Sequence, residues 1–303
     1  MLRLHFEISS NDAADRSTIA EACRNAGFRQ SSFLRSYRRT VWIELNRPTE
    51  ELLASFTKGC RQSIRAPAKR GYVVREIVDL GTANTLHDIL RSTFHRTGGA
   101  APRLPWTELI RLSARPDASV RLVGLFPEGD PSMRLPVSFA LAYLHGDVAE
   151  YAHAGSVRSE TIGGLPLLYA PTWESMQWAR SRGARWWDFG GVTDQGPQES
   201  SNRLAGVDAF KSAFSSNVID VGEEWHFERR RTAAMVADTA TRLKAWAANT
   251  RLTGMRGLSV GIAPSIPEWL TAIGNGWPLY RSPEMVAATH SNISARDAIS
   301  WKL

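Results

Sequence analysis

The sequence predicts a mixed α/β or α+β fold, and three observations carry that expectation. Short runs in which apolar residues alternate with polar ones, or are β-branched, have the period of strands. Between them lie stretches with apolar residues at helical spacing, and Gly, Pro and Asp mark the joints. Antiparallel strands with helices between them indicate a layered sheet domain.

Taken in order, Leu2, Leu4, Phe6 and Ile8 alternate with Arg3, His5 and Glu7, which predicts a half-buried strand over 1–10 and not an apolar leader. Residues 12–25 read as a helix with Ile19, Ala22 and Cys23 on one face, and Gly27 stands where a C′ glycine ends a helix. A strand over 40–45 follows. Pro48 opens a second helix with Leu52, Leu53 and Phe56 apolar, and the basic stretch 58–65 comes after it.

An extended run at 72–77 leads to a helix over 82–94 with Leu86, Ile89 and Leu90 inward. Residues 97–105, rich in Gly, Ala and Pro, predict a loop. Strands at 120–126 and 135–144 flank a turn at 127–131, and Gly146-Asp147 turns the chain into 148–154, which makes an antiparallel meander. A helix at 172–182 ended by Gly183, a strand at 185–189, a short helix at 207–214 and a strand or strand pair at 218–227 complete the body. One amphipathic helix is expected from Arg231 to about Trp246, then irregular chain. The expected divisions are 1–78, 79–230 and 231–303.

With 43% hydrophobic and 22% charged residues over 303 positions, the chain can bury its own core. No run approaches the ~18 apolar residues of a membrane span, and the two cysteines, Cys23 and Cys60, have no metal-ligand spacing. These features favour a cytoplasmic protein without a metal site. A net charge of +7 favours an anionic partner such as RNA. Only Lys58, Lys69, Lys211, Lys244 and Lys302 are lysines, so a retained Lys stands out against the Arg-rich background.

The most specific words lie between Tyr169 and Phe214: a Trp-bearing helix, Ala179-Arg-Ser-Arg-Gly183, then Trp186-Trp-Asp188-Phe-Gly-Gly191, and later Gly206-Val-Asp-Ala-Phe210-Lys211-Ser-Ala-Phe214. Upstream stand the basic stretch from Arg61 to Gly71 and Thr93-Phe-His-Arg96. In these residues the chain resembles the Fem family of aminoacyl-tRNA-dependent transferases, over about residues 1–230. The resemblance implies GNAT-like acyltransferase lobes, of which the first is here truncated to about 1–78. It also implies transfer of an amino acid from charged tRNA to an amine of a peptide-like acceptor. That acceptor is a peptide antibiotic intermediate or a peptidoglycan precursor, free or bound to a carrier protein. No cofactor is implied beyond aminoacyl-tRNA as co-substrate.

Within that reading Lys211 stabilises the tetrahedral oxyanion, and Asp188 or His153 holds or deprotonates the attacking amine. Gly190 and Gly191 permit positive φ and close approach of substrate to the backbone. Phe210, Tyr151 and Arg96 are the other expected substrate contacts, Arg96 by forking onto a carboxylate or phosphate. Arg61 and Arg65, i and i+4 on a helix, form with Lys69 and Arg70 a basic stripe for tRNA phosphates.

Each of these residues also has a plain structural reading. Asp188 can be the glue of a turn, Lys211 and the basic stripe a solvated surface, Arg96 a partner of the helix dipole, and His153 a core or surface histidine. Two other functions stay open: an acyl-CoA-dependent N-acyltransferase on the same fold, for which the segment 158–164 is a weak phosphate-loop signal, and a non-catalytic module that binds RNA or a carrier protein.

Overall fold

The computed structural model describes residues 3–10, 12–31, 37–129, 135–158, 162–193, 204–228 and 239–240. Chain contacts divide these into two compact units, and residues 39–220 make up the larger one. The smaller joins the described residues up to Arg38 to those from Val221 to Glu228.

In the smaller unit β1 (Arg3–Ser9), β10 (Gly222–Glu228) and β2 (Arg29–Gln30) form an antiparallel sheet in the order β1-β10-β2. Helix α1 (Ala13–Asn25) starts where the Asp12 side chain accepts from the Ala14 N–H at 2.8 Å. It ends at Ala26, and Gly27 follows with φ +83°. Ile8, Ala20, Cys23 and Trp225 form a small core. The expected first strand is present, but of its alternating apolar residues Ile8 is buried while Leu4 and Phe6 are each 43% exposed, so the expected burial of one face is met at Ile8 and not at those two.

The larger unit holds a seven-stranded sheet in the order β4-β5-β6-β7-β8-β3-β9. Its strands are β3 (Arg39–Glu44), β4 (Tyr72–Glu76), β5 (Val120–Pro127), β6 (Ser138–His145), β7 (Val148–Ser156), β8 (Trp186–Gly191) and β9 (Val218–Asp220). The expected meander is β5-β6-β7, antiparallel throughout. Among the described residues only β7 and β8 pair in parallel, and α6 (Tyr169–Ser181) supplies the crossover that a parallel pair requires. Strands β3 and β4 precede residue 78 yet belong to this sheet, so the boundary drawn there does not fall at a break in it.

Helices cover both faces. Alternate residues of β6 point opposite ways: Phe139 and Leu141 pack against α4 (Ala83–Thr97) and α5 (Trp106–Ser113), through Leu86, Ile89, Leu90, Leu109 and Ile110. Ala142 lies in the opposite core with Leu52 of α2 (Thr49–Ser55), Cys60 of α3 (Lys58–Arg65), Met176 of α6 and Phe214 of α7 (Ala205–Phe214).

Helix α5 has no counterpart in the sequence reading, which passed from the Gly- and Pro-rich loop directly to the strand at Val120. Its apolar Trp106, Leu109 and Ile110 have helical spacing and are buried. Nor do α2 and α3 run together: the chain is extended at Phe56, and Thr57 opens α3 by accepting from the Cys60 N–H at 3.2 Å. The expected helix 231–246 lies outside the described residues except at Thr239 and Ala240, which are helical. No helix among the described residues is long and apolar enough to cross a membrane.

Candidate functional site

The parallel strands β7 and β8 share three register pairs, Val148 with Trp186, Ala149 with Trp187 and Glu150 with Asp188. Beyond these they part: β7 continues to Ser156 along β6, and β8 continues to Gly191 along β3. Both strands are bulged just past the last shared pair. On β7 the register passes from Ala142 with Tyr151 to Leu141 with His153, so that Ala152 is the extra residue. On β8 it passes from Trp42 with Asp188 to Thr40 with Gly191, which sets three steps of β8 against two of β3. Bulges bend a strand and increase its twist, so two of them here open a wedge between β7 and β8.

The Asp188-Phe-Gly-Gly191 run lines the β8 side of that wedge. Gly190 is left-handed, with φ +71°, and its N–H donates to the Asp188 carboxylate at 2.7 Å. The Thr40 hydroxyl, fully buried on β3, meets both Asp188 Oδ1 and, at 2.8 Å, the Gly190 carbonyl. From α7, Lys211 Nζ donates to the Gly190 carbonyl at 3.1 Å and to the Gly191 carbonyl. One turn earlier on the same helix, Asp208 accepts from the Thr193 N–H at 3.3 Å and from its hydroxyl.

Lys211 is therefore not a solvated surface lysine, being only 7% exposed. Burial pushes its pKa down to about 8, against the opposing pull of Asp208 and Asp188. Burial raises the Asp188 carboxyl, and Glu150 adds to that; the bonds from Thr40 and Gly190 work the other way.

The β7 side carries Tyr151 and His153. Tyr151 packs its ring 5.5 Å from Phe189 and 6.1 Å from Phe210, with its hydroxyl 3.4 Å from Thr172 Oγ1. Burial raises its pKa. Phe210 continues the aromatic wall to Tyr169, 4.8 Å away edge-on. His153 stands on β7 past the bulge, where burial lowers its pKa against the pull of Glu150, which favours a neutral imidazole.

Arg96, in the last turn of α4, donates to the Ser156 carbonyl at 3.1 Å and to Thr93 Oγ1 at 3.2 Å. Thr93 Oγ1 in turn accepts from the Ser156 N–H at 3.2 Å. The Thr93-Phe-His-Arg96 word thus fastens the end of β7 to α4. Gly155 allows it: a Cβ there would come within 2.8 Å of Ile89 Cγ2.

The basic residues divide. Arg61 turns back, its guanidinium donating to the carbonyls of Ala54, at 3.0 Å, and Phe56. Arg65 of α3 and Lys69 and Arg70 in the 3-10 turn Ala68–Arg70 are exposed. Arg70 approaches the left-handed Gly163, where a Cβ would lie 3.4 Å from its Nη1. A cavity of about 330 Å³ at the β4–β5 end of the sheet, lined by Glu76, Arg121, Trp178 and Arg182 among others, includes none of the expected site residues.

The structure thus brings together Lys211, Asp188, Gly190 and Gly191 in one hydrogen-bonded group, with Tyr151 and Phe210 adjoining each other. Two residues at this group escaped sequence reading: Thr40, which is hydrogen-bonded to it, and Asp208, which accepts from Thr193 and acts on Lys211 by its charge. Asp208 had a signal, its i, i+3 spacing to Lys211; Thr40 had none beyond its place in a strand.

No protein-family model matches the sequence, and no curated protein matches it. Among solved structures, FemX aligns with a TM-score of 0.59 at 18% identity, over 77% of this chain and 74% of FemX. A lysylphosphatidylglycerol synthetase structure, L-PGS from Bacillus licheniformis, aligns with a TM-score of 0.45 at 13% identity, over 74% of this chain and 69% of its own. At such identity the FemX likeness establishes the fold and nothing narrower: the chain has the GNAT-like α/β fold expected from its sequence.

Proposed function

We propose that the chain is an acyltransferase that moves the aminoacyl group of a charged tRNA onto an amine of a peptide-like acceptor. The observation that carries this reading is the buried Lys211 ammonium, anchored on the Gly190 and Gly191 carbonyls at the mouth of the wedge. An ammonium has three donors, and two are engaged there, which leaves one for a developing oxyanion. The resemblance of the Asp188 and Phe210-Lys211 words to the Fem family supplies the donor.

In this mechanism the acceptor amine attacks the ester carbonyl of aminoacyl-tRNA. A C–N bond forms, the C–O bond to the ribose breaks, and the ribose oxygen leaves with a proton. The ester is already activated, so aminoacyl-tRNA serves as co-substrate and no further cofactor is called on. Neutral His153, or Asp188, takes the proton released by the amine. Tyr151 and Phe210 wall the acyl group, Arg96 faces the acceptor, and Arg65, Lys69 and Arg70 meet tRNA phosphates. The acceptor is a peptide antibiotic intermediate or a peptidoglycan precursor, free or on a carrier protein, and the reaction belongs in the cytoplasm where charged tRNA is found.

The test is incubation of the chain with mixed charged tRNAs and candidate peptides, read by mass spectrometry. Amide product is expected, ribonuclease should abolish it, and acetyl-CoA should give none. Product from acetyl-CoA in ribonuclease-treated mixtures would overturn the proposal. It would favour instead a coenzyme A donor, for which the left-handed Gly163 and Gly164 ahead of α6 are the specific feature.

A further inference from the structure

We propose that Thr40 is a positioning residue: together with Asp188 it holds the β8 bulge that turns the Gly190 and Gly191 carbonyls onto the Lys211 ammonium, and so fixes where that ammonium stands. The inference rests on the reading of Lys211 as the oxyanion donor.

In a regular strand successive carbonyls point to opposite sides, so one side-chain amine cannot take both. Lys211 Nζ takes both Gly190 O and Gly191 O. This is possible because β8 carries an extra residue between Asp188 and Gly191, and because Gly190 has φ +71°. Nothing in the covalent chain alone keeps that bulge in place. Two side chains do: Asp188 Oδ1 accepts from the Gly190 N–H at 2.7 Å, and the Thr40 hydroxyl shares its one proton between Asp188 Oδ1 and the Gly190 carbonyl, both within hydrogen-bond reach.

Thr40 is fully buried at the point where the β3–β8 register breaks. Val41 and Ile43 on the same strand are buried aliphatics, so bulk alone could be met by valine. A hydroxyl in that place has the bulge as its work. The charged groups around the ammonium are Asp188 from β8 and Asp208 from α7, with Glu150 of β7 acting on Asp188.

Thr40→Val removes the hydroxyl and preserves shape. In the full-length chain labelled at lysine Cε, only five lysine signals arise, and the one lost in Lys211→Arg is Lys211. The wild-type signal should titrate at about 8. In Thr40→Val it should titrate higher, toward the ordinary lysine value of about 10.4, because an ammonium freed from the bulge reaches water. Thr40→Ser should restore the wild-type titration.

In the transfer assay Thr40→Val should lower kcat on the order of 10- to 100-fold with KM little changed, as expected for a displaced donor. Should the valine variant fail to fold, Thr40→Ala removes the same hydroxyl without the branched bulk. A Lys211 titration unmoved or lowered in both variants, or moved as far by serine as by valine, overturns the proposal. A titration that moves in a chain that transfers no aminoacyl group retires the donor reading and leaves the hold of Thr40 on Lys211 standing.

Discussion

The end of β8 and the turn after α3 both present cations, and they are built on opposite principles. Lys211 is 7% exposed, and its ammonium is aimed by two carbonyls and flanked by two carboxylates. Arg65, Lys69 and Arg70 are exposed, and no hydrogen bond among the described residues fixes their tips in one direction. A buried cation is costly to desolvate but keeps one position and interacts in a low dielectric. An exposed cation costs little, is screened by salt, and acts as part of a field. The first arrangement suits a bond that exists only in a transition state, and the second suits a long, repeating polyanion.

The largest effect that follows lies on the buried side. Lys211→Ala should lower the rate constant of aminoacyl transfer by roughly 100-fold or more, as loss of a well-placed oxyanion donor does, with donor affinity little changed. Single-turnover kinetics with charged tRNA separate the two quantities. A variant as fast as wild type would make Lys211 a structural cap on β8 and nothing more.

How much of this contrast could be read beforehand differs between the two regions. The Trp186-Trp-Asp188-Phe-Gly-Gly191 word marked a strand ended by a turn, and the Phe210-Lys211 word marked a helix, because periods of 2 and 3.6 survive in the local sequence. The joining of those words was not legible. The β8 bulge depends on the partner strand β3, and Thr40 looks like any other strand threonine until its register with Gly191 is known. Burial of Lys211 was hidden too, since lysine is seldom buried without partners and those partners are backbone carbonyls that no side-chain pattern encodes.

On the exposed side, helical spacing correctly set Arg61 and Arg65 on one helix, yet could not show that Arg61 turns back to the carbonyls of Ala54 and Phe56. Helix α5 is hard to see in the sequence because it is only eight residues long and follows directly on a stretch dense in Gly and Pro.

An intermediate effect sharpens the comparison on the exposed side. Reversing Arg65, Lys69 and Arg70 to Glu should weaken binding of charged tRNA at physiological salt and reduce the slope of log affinity against log salt by about one unit per lost phosphate contact. Arg61→Ala should behave otherwise. Its bonds go to the protein's own backbone, so it should destabilise folding by about 1 kcal/mol, at the low end for charged hydrogen bonds because the site is partly exposed, and leave the salt slope intact. A slope unchanged by the triple reversal would place tRNA elsewhere on the surface, whereas a slope changed by Arg61→Ala would return that residue to the phosphate-binding stripe.

The smallest effect is on stability, and its sign comes from the buried side. Lys211 titrates at about 8 in the folded chain against an ordinary 10.5, so between those values the unfolded chain holds a proton that the folded chain has released. Stability therefore rises with pH across that window, as the cost of a buried ammonium is relieved. Other buried groups work against the rise. Cys60 is pushed up to about 12 from 9.0, and burial also raises Tyr151, so above pH 9 the folded chain retains protons that the unfolded chain loses. Asp188 and His153 act at lower pH and do not overlap. The Lys211 contribution is accordingly isolated as a difference: urea midpoints of wild type minus those of Lys211→Met, which keeps the stem without the charge, followed from pH 7.5 to 10. That difference should climb with pH. A flat line would mean that the Lys211 ammonium is solvated in the folded chain, and the contrast between the buried and the exposed cations would collapse.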